Sequence, residues 1–303
     1  MEKLGFEVDG ETVIGHLELP EGASAADPVP ALVFTGPFTG TKEQVTGTYA
    51  RFLAKEGFAT LAFDHRNFGE SGGRIRQHEA PYKKLDDLAA ATSYLAARPE
   101  VDAQRIGAVG ICLGGSFALH FAAFDPRIRA LATVAAAYLD ARPASEDAAV
   151  RKTEWFKDYA RELALFHEGT PTRIKAVTKV DGEAAGMPGQ EPFDYYGTDR
   201  AHSPHWKNEI TRLSSYNLAR FDAVLGADYL AATPTLVVHG TTDLYCSPEA
   251  AARIFERING TKRIEWIETT NHIELYDSQP HVSAAVAHVS NWMKEHLYQG
   301  AGK

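Results

Sequence analysis

Cys112, Asp243 and His272 are the residues whose types and order in this chain could perform covalent chemistry. Cys112 stands in Gly110-Ile-Cys-Leu-Gly114, followed by Gly115, between the apolar run Arg105–Ile111 and the helix-forming run Ser116–Ala123. A strand, a Gly-bracketed reactive side chain and a helix together make a nucleophile elbow, a sharp turn that exposes its central residue. The glycines are required because the turn is strained and brings strand and helix very close. A helix N-terminus favours negative charge, so the cysteine is expected partly as thiolate near neutral pH. Cysteine alone in a Gly-rich turn would read as an inert buried side chain. The bracketing and the strand-to-helix context favour the elbow.

A thiolate nucleophile needs a base to manage protons and a carboxylate to orient that base. Asp243 lies in Thr241–Pro248, the loop after the strand-like run Pro234–Gly240. His272 lies in Glu268–Tyr276, the loop after Arg263–Ile267. Both fall just beyond the C-terminal end of an expected strand, where active sites of open α/β sheets gather. Asp243 alone could cap the following helix, and His272 alone could be a structural or surface histidine. The three in this order favour a triad. His239 competes as base but lies within a strand pattern, and Asp277 competes as acid but follows the histidine. The developing oxyanion needs donors. One is the backbone N–H of Leu113. The other is expected from Gly36-Pro-Phe-Thr-Gly40, where Pro37 lacks an N–H and Phe38 is the better donor.

The elements that must position these residues follow from hydrophobic pattern. Phe6–Leu19 reads as two alternating strands joined across Asp9-Gly10. Strands are expected at Pro30–Thr35, Phe58–Phe63, Arg105–Ile111, Ile128–Val134, Pro234–His239 and Arg263–Ile267, and helices at Lys42–Glu56, Lys84–Arg98, after the elbow, at Pro248–Ile258 and at about His281–Leu297. This alternation predicts a mostly parallel sheet covered on both faces. Residues from about 140 to 230 break the rhythm, being rich in charge and aromatics. Helical patterns at Ala148–Phe166 and Ser203–Leu218 flank a loop at Val180–Gln190. They predict a helical cap, 140–230, inserted between core segments 1–139 and 231–303. Tyr195, Tyr196, Trp206 and Phe221 are candidate linings of an apolar pocket beneath it, although cap aromatics also pack a cap on its core.

Two further polar stretches have structural readings. In Asp64–Gly73, a Gly-rich loop without a following Lys-Ser/Thr is weak evidence for phosphate binding. Arg66 and Ser71 are expected to pin the loop. Lys42 and Glu43 could touch substrate, but beginning a helix is the preferred reading.

Composition excludes several classes. The chain has 303 residues and net charge −9, with no long basic block. This argues against nucleic acid or an anionic membrane surface as partner. No signal peptide or transmembrane-length run is visible. Cys112 and Cys246 are the two cysteines. A disulfide between them is not expected in a reducing compartment, and a cytoplasmic location is expected. No His/Cys/carboxylate cluster has metal-site spacing, so neither a metal nor another cofactor is expected. The partner is a small-molecule substrate, and an exposed apolar cap surface would suit a homodimer.

Taken together, these residues resemble the α/β-hydrolase superfamily over nearly the whole chain. Gly-x-Cys-x-Gly-Gly resembles dienelactone hydrolases, a resemblance that implies a Cys-His-Asp triad. Gly36–Gln44, Phe63–Gly73 and Asn271–Asp277 are closer to a dienelactone-hydrolase-like group with a helical cap, which includes fungal polyketide transferases and bacterial hydrolases. Dienelactone hydrolases proper are smaller and lack such a cap, and members of the capped group often carry serine at the elbow. The resemblance implies a cofactor-independent hydrolase of small esters, lactones or thioesters. Acyl transfer or processing of a polyketide-like intermediate is the alternative. A non-catalytic ligand receptor on the same fold is a third reading.

Overall fold

The computed structural model describes residues 1–298. Its strands are β1 (Glu2–Val8), β2 (Glu11–Glu18), β3 (Val29–Thr35), β4 (Ala59–Phe63), β5 (Val101–Ile111), β6 (Ile128–Val134), β7 (Arg173–Thr178), β8 (Ala185–Pro188), β9 (Ile210–Thr211), β10 (Thr235–Gly240) and β11 (Lys262–Ile267). Eight form one sheet in the order β1-β2-β4-β3-β5-β6-β10-β11. β1–β2 and β2–β4 pair antiparallel, and the other five pairings are parallel. The hairpin turns at Asp9 and Gly10, both at positive φ (51° and 78°), as a tight two-residue connection requires.

The pattern of burial follows strand position. Every side chain of β4 and β10 is buried, whereas β1 and β2 alternate. Central strands covered on both faces are predominantly apolar, while the edge hairpin is half solvated.

The helices are α1 (Val45–Lys55), α2 (Pro81–Ala96), α3 (Gly114–Phe124), α4 (Glu146–Trp155), α5 (Tyr159–Glu168), α6 (Gln190–Tyr196), α7 (Arg212–Arg220), α8 (Val224–Tyr229), α9 (Pro248–Arg257), α10 (Glu274–Asp277) and α11 (Gln279–Leu297). α1 packs with α11, α2 with α3, and α3 with α8. Proline in the first turn starts α2, α9 and α11, where its missing N–H would have had no helical partner. Among the described residues, no helix is long and apolar enough to cross a membrane.

Between β6 and β10 the chain holds α4 to α8 and a second sheet, β8-β7-β9. The sequence pattern gives helices and a loop here. β8 is four residues and β9 two, too short to display an alternating pattern. Residues 203–209 are not helical, and the helix expected from Ser203 begins at Arg212.

Candidate active site

β5 ends at Ile111 and α3 begins at Gly114, so Cys112 occupies the turn between them. Its φ is +53°, a conformation that non-glycine residues seldom adopt. Such strain persists only where the surroundings impose it. Here a Cβ at Gly110 would meet Gly114 O at 2.5 Å and the Ala118 Cβ at 2.7 Å. Strand and helix therefore approach as closely as glycine permits, and the cysteine is held at their junction.

Asp243 and His272 lie on the loops after β10 and β11, paired strands whose parallel register brings both C-terminal ends to one edge. His272 Nδ1 donates to Asp243 Oδ2 at 2.6 Å. Asp243 Oδ1 accepts the backbone N–H groups of Tyr245 (2.9 Å) and Cys246 (2.7 Å). Asp243, His272 and Cys112 are all buried. The Cys112 and Cys246 sulfurs and a His272 ring nitrogen all lie within 4.8 Å of one another. The structure thus brings together the three residues that the sequence singles out.

Two neighbours were not indicated by the sequence. Cys246 Sγ is 3.8 Å from Cys112 Sγ and 3.9 Å from His272 Nε2. The Tyr276 hydroxyl is 2.9 Å from the same Nε2. The available signals were short-range ones: Cys246 is three residues after Asp243, and Tyr276 is one helical turn after His272.

The charges are set by this packing. The Cys246 thiol, and after it His272, hold the Cys112 thiol well below the ordinary thiol range, against burial. The same contact with Cys112 pushes Cys246 well above that range, and burial adds to it. Burial disfavours a charged His272, but the bond to Asp243 and the adjacent Cys112 thiolate outweigh it and raise its pKa to about 10. Asp243 is lowered: burial opposes ionisation, and His272 together with two backbone N–H groups overcomes it. These shifts favour a thiolate–imidazolium pair with a protonated second thiol beside it.

A cavity of about 370 Å³ opens over Cys112. Its wall includes Phe38, Leu113, Met187, Leu218, Tyr245 and His272. Among the described residues, the backbone N–H groups of Phe38 and Leu113 donate no hydrogen bond within the protein, and both residues border this cavity. A larger surface groove of about 870 Å³, bordered by Glu18, Arg51, Lys55 and Asp277, includes none of Cys112, Asp243 and His272. Chemistry, not size, identifies the site.

The four aromatics expected to line the pocket do not form its wall. Tyr195 packs edge-on against Tyr276, and Tyr196 stacks on Trp206 with centroids 5.7 Å apart. Trp206 Nε1 donates to Thr39 Oγ1 at 3.2 Å, tying the inserted segment to the loop after β3. Phe221 is buried against Phe117 and His120. Aromatic size favours packing between the inserted segment and the core, and β8 and α7 supply the cavity wall instead. Among the four, the Tyr196 hydroxyl alone is buried without a hydrogen-bond partner.

The competing residues have other partners. Asp277 pairs with Arg200 at 2.7 Å. His239 is buried within β10, its Nδ1 donating to Gly240 O. Arg66 bonds Asp87 and Asp9, and Ser71 links Asp64 O to the Ile14 N–H, as expected of a pinned loop. Lys42 does not begin a helix, since α1 starts at Val45. Its fully buried ammonium meets Asp64 and Glu70, each at 2.8 Å, and Glu43 at 2.6 Å.

Residues 31–279 match the family described as serine aminopeptidase, S33. The chain is 28% identical to the thiohydrolase aneE of Aspergillus aculeatus, over 88% of this chain and 84% of that protein. It is 28% identical to the polyketide transferase claH of Penicillium crustosum, over 92% of each. The crystal structure of the hypothetical protein PA2218 from Pseudomonas aeruginosa superposes with a TM-score of 0.85 at 27% identity, covering 98% of this chain and 93% of that one. With the sheet order and these matches in agreement, the chain belongs to the serine aminopeptidase S33 family of α/β-hydrolase enzymes.

Proposed function

We propose that this enzyme is a cofactor-independent hydrolase of small esters, lactones or thioesters, working through a Cys112–His272–Asp243 triad and an acyl-enzyme. The observation that carries the reading is the left-handed Cys112 beside a buried His272–Asp243 pair, beneath a cavity of about 370 Å³. Residues 140–230 act as a cap on a core of 1–139 and 231–303. The Gly-x-Cys-x-Gly-Gly elbow supports kinship with the dienelactone-hydrolase-like group.

The Cys112 thiolate attacks the substrate carbonyl, forming a C–S bond and placing negative charge on oxygen. The N–H groups of Leu113 and Phe38 receive that charge. His272, already protonated, gives its Nε2 proton to the leaving alkoxide or thiolate as the C–O or C–S bond breaks. Acylation removes the negative charge of Cys112, one of the two groups that raise His272. The imidazole then becomes a base, takes a proton from water and drives attack on the thioester. Asp243 holds the tautomer and stabilises the imidazolium throughout.

A second reading, acyl transfer to an alcohol, amine or thiol, is favoured by one chemical feature. A thioester acyl-enzyme is activated toward nucleophiles other than water, and a relative is named a polyketide transferase. Intact-protein mass spectrometry separates the readings. Wild type and Cys112→Ala are mixed with short activated esters and acyl thioesters. An adduct on wild type alone that decays in water establishes hydrolysis. An adduct that decays only on adding an acceptor establishes transfer. Equal turnover by Cys112→Ala sinks both.

A further inference from the structure

Cys246 forms no bond and transfers no proton in the acyl-transfer scheme, yet it is buried against both reacting groups. On a tetrahedral cation with metal–sulfur bonds of about 2.3 Å and metal–nitrogen bonds of about 2.0 Å, two thiolates lie about 3.8 Å apart and a thiolate and an imidazole nitrogen about 3.5 Å apart. The Cys112–Cys246 sulfur separation is 3.8 Å, and Cys246 Sγ to His272 Nε2 is 3.9 Å. The third separation is within 4.8 Å, so rotation of the Cys112 thiol closes the set, with the cation replacing the Tyr276 hydroxyl that now lies 2.9 Å from the same Nε2. The other imidazole nitrogen is already bound by Asp243, the carboxylate–histidine arrangement that orients metal-ligating histidines. All three residues border the cavity of about 370 Å³, so a ligand from solution has access to a cation held between them.

We infer that Cys112, Cys246 and His272 form a binding site for a thiophilic divalent cation of the Zn²⁺ class, distinct in purpose from the acyl-transfer reaction and mutually exclusive with it. Binding forms two metal–sulfur bonds and one metal–nitrogen bond. It releases two protons from the resting state, one from the Cys246 thiol and one from His272 Nε2, and a water or an anionic ligand from solution completes the shell. Nucleophile and base are then both occupied, so the bound form is catalytically silent until the cation is withdrawn. Two sulfurs and one nitrogen select Zn²⁺ or its Co²⁺ surrogate over Mg²⁺ or Ca²⁺, which require oxygen donors.

The test uses full-length, phosphine-reduced protein titrated with Co²⁺, followed by Zn²⁺. We expect one equivalent of cobalt to give a thiolate-to-cobalt charge-transfer band, which Zn²⁺ abolishes stoichiometrically. Cys246→Ser and Cys246→Ala should lose most of the band and bind at least about tenfold more weakly, and Asp243→Asn should weaken binding about 10- to 100-fold. Both Cys246 variants are checked for native circular dichroism. Cobalt bound without a thiolate band means a surface histidine site only and overturns the inference. So does a Cys246 variant that titrates like wild type. The readout needs no substrate, so failure to trap an acyl-enzyme leaves it untouched.

Discussion

Asp243 Oδ1 accepts the backbone N–H of Cys246 at 2.7 Å while its other oxygen holds His272. One carboxylate thus fixes both the ring and the loop that carries the second thiol. Asp243→Asn should therefore do more than remove a charge. An amide that still accepts from the loop would turn its NH₂ toward Nδ1 and reverse the imidazole tautomer. We expect kcat to fall about 10³- to 10⁴-fold with folding preserved, in line with the loss on neutralising a triad carboxylate. Steady-state kinetics on an activated thioester, with circular dichroism of the variant, check this.

Cys112→Ser removes the thiolate charge that helps to raise His272 to about 10. The ring pKa should drop toward its ordinary value, so residual activity should rise with pH through the histidine range as the base loses its proton. Wild type should lack that limb. Its thiolate persists below the ordinary thiol range, so alkylation of Cys112 by iodoacetamide should stay fast at neutral pH. A wild-type alkylation profile that climbs only through the usual thiol range would contradict the ion pair.

Lys42→Met should destabilise the protein by about 3 kcal/mol, because removing one partner of a buried pair strands the other. Asp64, wholly buried, is the partner left behind. Urea unfolding measures the loss. Glu70 gives the companion acid limb: Lys3 first, and Lys42 after it, lower its carboxyl from 4.5 to about 2. A depressed carboxylate contributes stability that is complete above its unfolded value and disappears as pH falls through the folded one. Wild type should therefore lose stability from about pH 4.5 down to about pH 2, and Glu70→Gln should flatten that part of the curve. The change is expected to be small, since Glu70 is partly exposed and screened by solvent.

Met187→Trp places a larger side chain on the cavity wall formed by β8. KM for long-chain acyl thioesters should rise at least about tenfold while acetyl substrates change little, the size of effect expected when pocket volume decides fit. Equal effects on both chain lengths would show that Met187 does not border the acyl group.

The core and the proposed triad were readable in the sequence because each leaves a strong local mark. Buried parallel strands are mostly apolar, as in Leu236–Val238 of β10, and the elbow demands glycine at Gly110 and Gly114. Asp243 and His272 were found because a strand end is a predictable place. The cavity wall was not readable. β8 is four residues long and pairs with β7, so neither periodicity nor propensity marks it. Large aromatics were the natural choice for a pocket lining, but Tyr195, Tyr196, Trp206 and Phe221 are spent on packing. Cys246 lay hidden for another reason. Its place beside Cys112 depends on Asp243 bending the loop over three residues, a contact between side chain and backbone that composition does not record. Lys42 likewise reads as a helix start, because nothing local in the sequence marks its partners Asp64 and Glu70 on a distant loop.

Gly186 of β8 presses on the ring of Phe38, where an added Cβ would meet Cε1 and Cζ at 2.5 Å. Phe38 also carries one of the two N–H groups assigned to the oxyanion. Under the proposed mechanism, the strand that shapes room for the acyl chain therefore leans on the residue that steadies the charge. Proposed selectivity and rate thus meet at one glycine contact, and a change of accepted chain length through β8 would be expected to retune the rate as well. Variation in substrate range should then concentrate on α7, across the cavity, where Ser215 and Leu218 border the same space from another element.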